Sequence, residues 1–197
     1  MHEQIELFYV GAEGAPRGAV VTTIGPDQVT CRVHFSTPDG QVGGGEAVIQ
    51  VAGSVTSWTG VRFTSHGTTT VGRRVTADAD CPVVPSYGLS ALVLELVQGA
   101  ERSLDLELLD ESTSPPHTVR PARLVRDRTE DVLSPVQGLL HGCERVELTV
   151  AGRRTNTYWV RDGVVVASDW AGARSYALPA AAAQGVRAAL GLAPAPA

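Results

Sequence analysis

The sequence predicts a mainly β domain of the α+β type. The expected architecture is a curved antiparallel sheet or half-open β-barrel, with one helix packed in or across its concave face and a short C-terminal helix. Three observations carry this. Alternation of apolar and polar residues with period two runs through most of the 197 residues. One apolar stretch, residues 87–97, breaks that alternation with a helical pattern. The segment from Trp159 to Trp170 reads as a hairpin with apolar bulk on both faces, which fits a sheet covered on both sides rather than one with a wet face.

The elements follow in order. Residues 4–10, 18–24 and 28–35 read as strands, and in the third Cys31, Val33 and Phe35 share one face while Arg32 and His34 share the other. Pro38-Asp39-Gly40 is turn chemistry. Gly43-Gly44-Gly45 predicts a bulge, a flexible lip or a close backbone approach. Residues 47–51, 54–64 and 69–76 continue the alternation, with Gly53 and His66-Gly67 as breaks. The helix over 87–97 has Ser86 as its expected N-cap and Gly99 as its stop. It carries Leu89, Leu92, Val93, Leu96 and Val97 as a wide apolar stripe, which predicts burial against a sheet.

Strands resume after it. Leu104, Leu106 and Leu108 alternate with Asp105 and Glu107; residues 119–126 read as a strand that Pro121 marks as an edge or a bulge. Residues 127–142 read as loop, and Val146, Leu148 and Val150 form the apolar face of the next strand. Asp162-Gly163 is a two-residue turn that requires positive φ at both positions. It sets Arg161 opposite Val164, Trp159 opposite Val166 and Thr157 opposite Ser168, on one face with Trp170. The other face holds Asn156, Tyr158, Val160, Ala167 and Asp169. Residues 179–190 form an Ala-rich helix started by Pro179. Residues 1–192 make one domain, and 193–197 an Ala-Pro tail without order.

Composition excludes several functions. All 16 basic residues are Arg, so no lysine Schiff base or phosphate-loop lysine exists. With the abundant Ala, Gly and Val, this is what a high-GC bacterial genome produces. The formal net charge of −5 argues against nucleic acid as a partner. Cys31, Cys81 and Cys143 are odd in number and unpaired in spacing, which fits free thiols in a reducing compartment. The N-terminal residues show no leader pattern and no apolar run approaches a membrane span, so the expectation is a cytoplasmic protein. His2, His34, His66, His117 and His141 have no ligand spacing, and no metal or other cofactor is expected.

The layout resembles the half-open β-barrel of the LolA/LolB lipoprotein carriers and the related DUF3108-type proteins. The residues that carry the resemblance are the segment from Gly18 to Thr23, Val84-Pro85 before the helix, the segment from Leu104 to Leu109, and the strand and turn from Tyr158 to Val166. The resemblance implies a concave apolar cup for an acyl-type ligand, partly closed by the helix, and it transfers no catalytic residue.

No nucleophile elbow and no family cysteine signature is present. The scarce aromatics are therefore the site candidates. Trp58, Phe63, Tyr87, Trp159 and Trp170, with Ser168, are the expected substrate-binding set, although core packing explains an aromatic on a strand more often than a ligand does. Should the cup catalyse, Tyr158 and Asp169 are the available acid–base groups, and Arg161 or Tyr87 the available stabilisers of a polarised carbonyl. Two function classes follow for an apolar small-molecule ligand. The expected one is a cofactor-independent cyclase or isomerase of bacterial secondary metabolism on a polyketide-like substrate, working by holding a reactive conformer. The other is a non-catalytic carrier of acyl chains. A filled structural module with no cup stands behind both, and the sequence gives no oligomeric state.

Overall fold

A computed structural model describes residues 1–10, 15–36, 42–73, 81–111, 118–170 and 172–189. The Pro38-Asp39-Gly40 turn, His117 and the 193–197 tail lie outside them. The chain builds β1 (His2–Val10), β2 (Gly18–Ile24), β3 (Gln28–Ser36), β4 (Val42–Val51), β5 (Trp58–Ser65), β6 (Thr68–Arg73) and β7 (Val83–Pro85). Helix α1 (Leu89–Gln98) follows, then β8 (Ser103–Asp110), β9 (Thr118–Ser134), β10 (Gly138–Val150), β11 (Arg153–Arg161), β12 (Val164–Trp170), β13 (Ala173–Ala177) and helix α2 (Ala180–Ala189). All the strands join one sheet in the order β6-β5-β4-β3-β2-β1-β13-β12-β11-β10-β9-β8-β7. Two meanders are thus joined where the first strand meets the last. Every pairing is antiparallel except β7 with β8, which α1 connects. Among the described residues no helix is long and apolar enough to cross a membrane.

Tight turns set the meander. His66-Gly67, Ala151-Gly152 and Asp162-Gly163 each hold positive φ at both residues, between 48° and 78°, as two-residue hairpins require. The helix lies on the inner face of the sheet. Its Leu89, Leu92, Val93 and Leu96 are buried with Val29, Ile49 and Val61 from one meander and Leu106, Leu124, Leu148 and Val160 from the other. On the outer face, α2 seats Ala183 and Val186, with Leu178, on Ile5, Ala19 and Val21. Both faces of β1 and β2 are therefore covered, which explains their mixed apolar content.

Several expectations need correction. Residues 54–57 are not strand: Ser54 accepts from the Thr56 N–H and caps a 3₁₀ turn over Val55–Ser57. The helix begins later than expected, because Ser86–Gly88 is also a 3₁₀ turn. Residues 127–142 are not loop. They complete the long β9–β10 hairpin, whose pairing shifts register between Leu140 and Cys143 and again between Glu144 and Val146. Such irregularities break period two, and the segment is strongly charged, so it reads as loop. The short strands β7 and β13 went unpredicted.

Pro121 marks neither an edge nor a bulge: β9 lies between β10 and β8, and Pro121 pairs with Glu107 without a register shift. Its carbonyl accepts from the Ala151 N–H at 2.8 Å on the β10 side, and the regular β9–β10 ladder ends one residue earlier, at Ala122 opposite Val150, so the missing N–H is tolerated there. The glycine run lies inside β4 without a bulge. A Cβ on Gly44 would meet the Val33 carbonyl oxygen at 2.3 Å, and one on Gly45 would meet the Phe63 ring at 2.8 Å. Close approach is the reason for glycine there.

Candidate functional site

The β11–β12 pairing decides which side chains face inward. The turn places Arg161 opposite Val164, as its chemistry predicts, and Val160 opposite Val165. Trp159 then pairs with Ala167 rather than Val166. Val166 is the extra residue of a bulge, and one inserted residue reverses the facing of everything beyond it. Tyr158 is consequently opposite Ser168, and Asn156 opposite Trp170. The face partition expected from unbroken alternation is corrected: Asn156, Tyr158, Ser168 and Trp170 belong together.

This inner set opens onto a cavity of about 490 Å³ between the sheet and the N-terminal end of α1. Val20, Val33, Leu89, Leu108, Leu148 and Val150 give its walls their apolar character. Cys31, Tyr87, Tyr158 and Trp170 also line it, and Ser86, Ser90, Asp110, Arg120, Thr155 and Asn156 supply the polar groups. Tyr158, Leu148 and Val20 are buried, whereas Arg120 is exposed. The cavity therefore grades from an apolar floor to a polar mouth.

Burial keeps the protic groups of the wall neutral. It pushes the Cys31 thiol up to about 12, against a weak bond donated by Thr22 Oγ1. It pushes the Tyr87 phenol up to about 12 as well. The Tyr158 phenol is raised by burial too, and the bond from Asn156 Nδ2 to its oxygen, 3.0 Å long, offsets that in part. None of these groups is activated as a base or nucleophile.

Two buried carboxyls support the cavity from behind. Glu111, just after β8, accepts from the Ser86 N–H at 2.8 Å, the Ser86 hydroxyl at 2.9 Å and the Tyr87 N–H at 2.8 Å. It supplies the cap that the sequence assigns to Ser86, and it fixes Tyr87, whose ring lies 5.2 Å from that of Phe63. Burial raises its carboxyl above the usual range. Glu6 sits in the inner wall opposite Val20. It accepts from Gln4 Nε2 at 2.8 Å and from the Ser175 hydroxyl, and Ser175 shares a 2.6 Å bond with Ser168. Desolvation outweighs these bonds and raises Glu6 to about 7.

The expected site residues thus separate. Tyr87, Tyr158 and Trp170 line the cavity. Phe63 backs Tyr87, and Ser168 is buried in the Glu6 cluster. Trp58 is core, its indole N–H donating to the Val83 carbonyl at 2.7 Å. Trp159, Arg161 and Asp169 face outward: Trp159 donates to Glu130 at 2.6 Å, Arg161 lies 3.3 Å from Asp162, and Asp169 holds Arg174 at 3.0 Å. Sequence reasoning missed Glu6, Arg120 and Glu111. Gln4 and Glu6 alternate with Ile5 and Leu7, a pattern that reads as the wet face of a strand until α2 is known to cover the other side.

Among the described residues no group of three or more His, Cys, Asp and Glu side chains is placed to hold a metal ion. No family model matches the chain, and no curated protein matches it. In overall shape it is similar to a crystal structure from Brucella abortus, a β-barrel-like protein of domain of unknown function DUF1849. The identity is 10%, the TM-score is 0.44, and the match covers 89% of this chain and 94% of that one.

Proposed function

We propose that this protein binds a largely apolar small molecule in the cavity between α1 and the sheet, and that it does so without turnover. The observation that carries the reading is the cavity itself: about 490 Å³ of space whose exposed wall is mainly apolar, between the sheet and α1, a size suited to a drug-sized ligand. An apolar floor beneath a polar mouth suits a ligand that buries its hydrocarbon part and leaves access from solvent.

The reading favours a carrier or sensor over a cyclase or isomerase. An acid–base enzyme needs its groups convergent on one substrate. Here Asp169 and Arg161 face away from Tyr158, and the titratable groups on the floor are held neutral by burial. A carrier role is also what the resemblance to the LolA/LolB lipoprotein carriers implies.

The test is native mass spectrometry on freshly purified protein, together with titration of an apolar fluorophore. The expected result is a bound apolar compound and saturable uptake of the fluorophore. Leu108→Trp, which fills the cavity from the β8 wall, abolishes both while leaving the unfolding transition in place. Equal uptake by the filled variant would refute the cavity as the site.

A further inference from the structure

The inner wall holds a donor with nothing to donate to. The Trp170 indole nitrogen is buried and has no hydrogen-bond partner among the described residues, while Trp170 lines the cavity. A buried N–H without an acceptor costs free energy, and in a native fold it calls for an explanation. The other two indoles of the chain are satisfied, Trp58 by the Val83 carbonyl and Trp159 by Glu130.

The neighbours of Trp170 add to the excess of donors. Asn156 is its cross-strand partner, and Asn156 Nδ2 already donates to the Tyr158 oxygen. The phenolic proton of Tyr158 must then point elsewhere, as must the second amide hydrogen of Asn156. Turning the amide over does not change this, since the pair has three protons and one internal bond. Trp170, Asn156 and Tyr158 all line the same cavity, so three side chains bring spare donors to one part of its wall.

We propose that these three residues form the polar anchor of the ligand site, and that the ligand is a neutral, mainly hydrocarbon molecule bearing a carbonyl oxygen. This rests on the apolar-ligand reading and narrows it. A carbonyl oxygen has two lone pairs and no proton, which matches a wall rich in donors. A carboxylate does not suit the same place. No cation lines the buried floor, Arg120 being exposed at the mouth, so a carboxylate there would be desolvated without a counter-charge.

Three probes of similar shape separate the possibilities: hexylbenzene, hexanophenone and 6-phenylhexanoate. Each is titrated against a bound apolar fluorophore and followed through the indole N–H signals in proton–nitrogen NMR. The ketone is expected to bind about five- to tenfold more tightly than the hydrocarbon, the usual worth of one net hydrogen bond or slightly more. It moves the Trp170 signal downfield and leaves those of Trp58 and Trp159 in place, with Trp170→Phe identifying the resonance. Tyr158→Phe and Trp170→Phe each reduce the preference for the ketone while retaining hydrocarbon binding. The preference in the unmodified protein stands as evidence even where a variant folds poorly.

Equal binding of ketone and hydrocarbon with an unmoved Trp170 signal overturns the anchor and leaves the apolar site standing. Tightest binding by the carboxylate overturns the neutral class. Binding of none of the three removes the apolar site and the anchor together.

Discussion

The Trp58 indole N–H donates to the Val83 carbonyl at 2.7 Å, and this bond joins opposite ends of the sheet. Trp58 opens β5, next to the β6 edge, and Val83 lies on β7, the other edge. Glu95 of α1 adds a second tie, accepting from the Ser54 hydroxyl at 2.7 Å and the Val55 N–H at 3.0 Å. An open sheet is thereby held curled around its helix. Trp58→Phe keeps an aromatic ring, removes the bond and strands a carbonyl. It is expected to destabilise the fold by about 2 kcal/mol, measured by urea denaturation. An unchanged midpoint would show that the edges are held by apolar packing alone.

Glu6 makes stability depend on pH. Its folded pKa of about 7 lies above the ordinary value of 4.5, so the folded state binds this proton more tightly than the unfolded chain does. Its contribution is full below about pH 4.5 and is lost as pH rises through 7. The loss amounts to about 3 kcal/mol at pH 8. Denaturation at pH 5 and pH 8 should show the decline, and Glu6→Gln should flatten it. A decline of the same size in the variant would place its origin elsewhere.

Glu111→Ala leaves the Ser86 and Tyr87 N–H groups without their acceptor. A loss of about 2 kcal/mol is expected, at the upper end for a helix cap because the site is buried. Affinity for the apolar fluorophore should fall as well, since Tyr87 loses its anchor at the cavity. Stability without a change in affinity would make the carboxyl purely a cap.

Gly44→Ala tests the glycine run. The new Cβ meets the Val33 carbonyl oxygen at 2.3 Å, and backbone must move because no side chain can yield. The expected cost is about 2 kcal/mol. Gly53→Ala is no control here, because its φ of 83° adds a separate strain. Gly60→Ala is the suitable one, its nearest neighbour being 3.7 Å away.

The legible parts of this fold are those where local chemistry and tertiary setting agree. Alternation located β2 to the residue, and Asp162-Gly163 announced its turn. The helix stripe foretold burial against the sheet. What escaped notice depends on partners distant in sequence. Ala173–Ala177 is a strand only because β1 and β12 flank it. Val166 becomes an extra residue only against β11, and nothing in a run of three valines says which one bulges. That single residue moved Ser168 and Trp170 to the side of Tyr158. Of the nine candidate site residues, Tyr158 and Trp170 on the cavity wall owe their place to register, as do the three that face outward, whereas Tyr87 is placed by its 3₁₀ turn and Glu111.

The pairing of the first strand with the last has a consequence for how the chain comes to be folded. The bond between Ser175 and Glu6 spans 169 positions of sequence, and the β1–β13 ladder lies mid-sheet. During synthesis β1 is made before β13 and must wait for all the strands between them before this partner exists. Until then the first meander exposes β1, a strand edge that belongs in the interior. Contacts of this separation slow folding, and unpaired edges invite association. The interval between the synthesis of β1 and that of β13 is therefore one in which an edge destined for mid-sheet stands open to pairing with another chain.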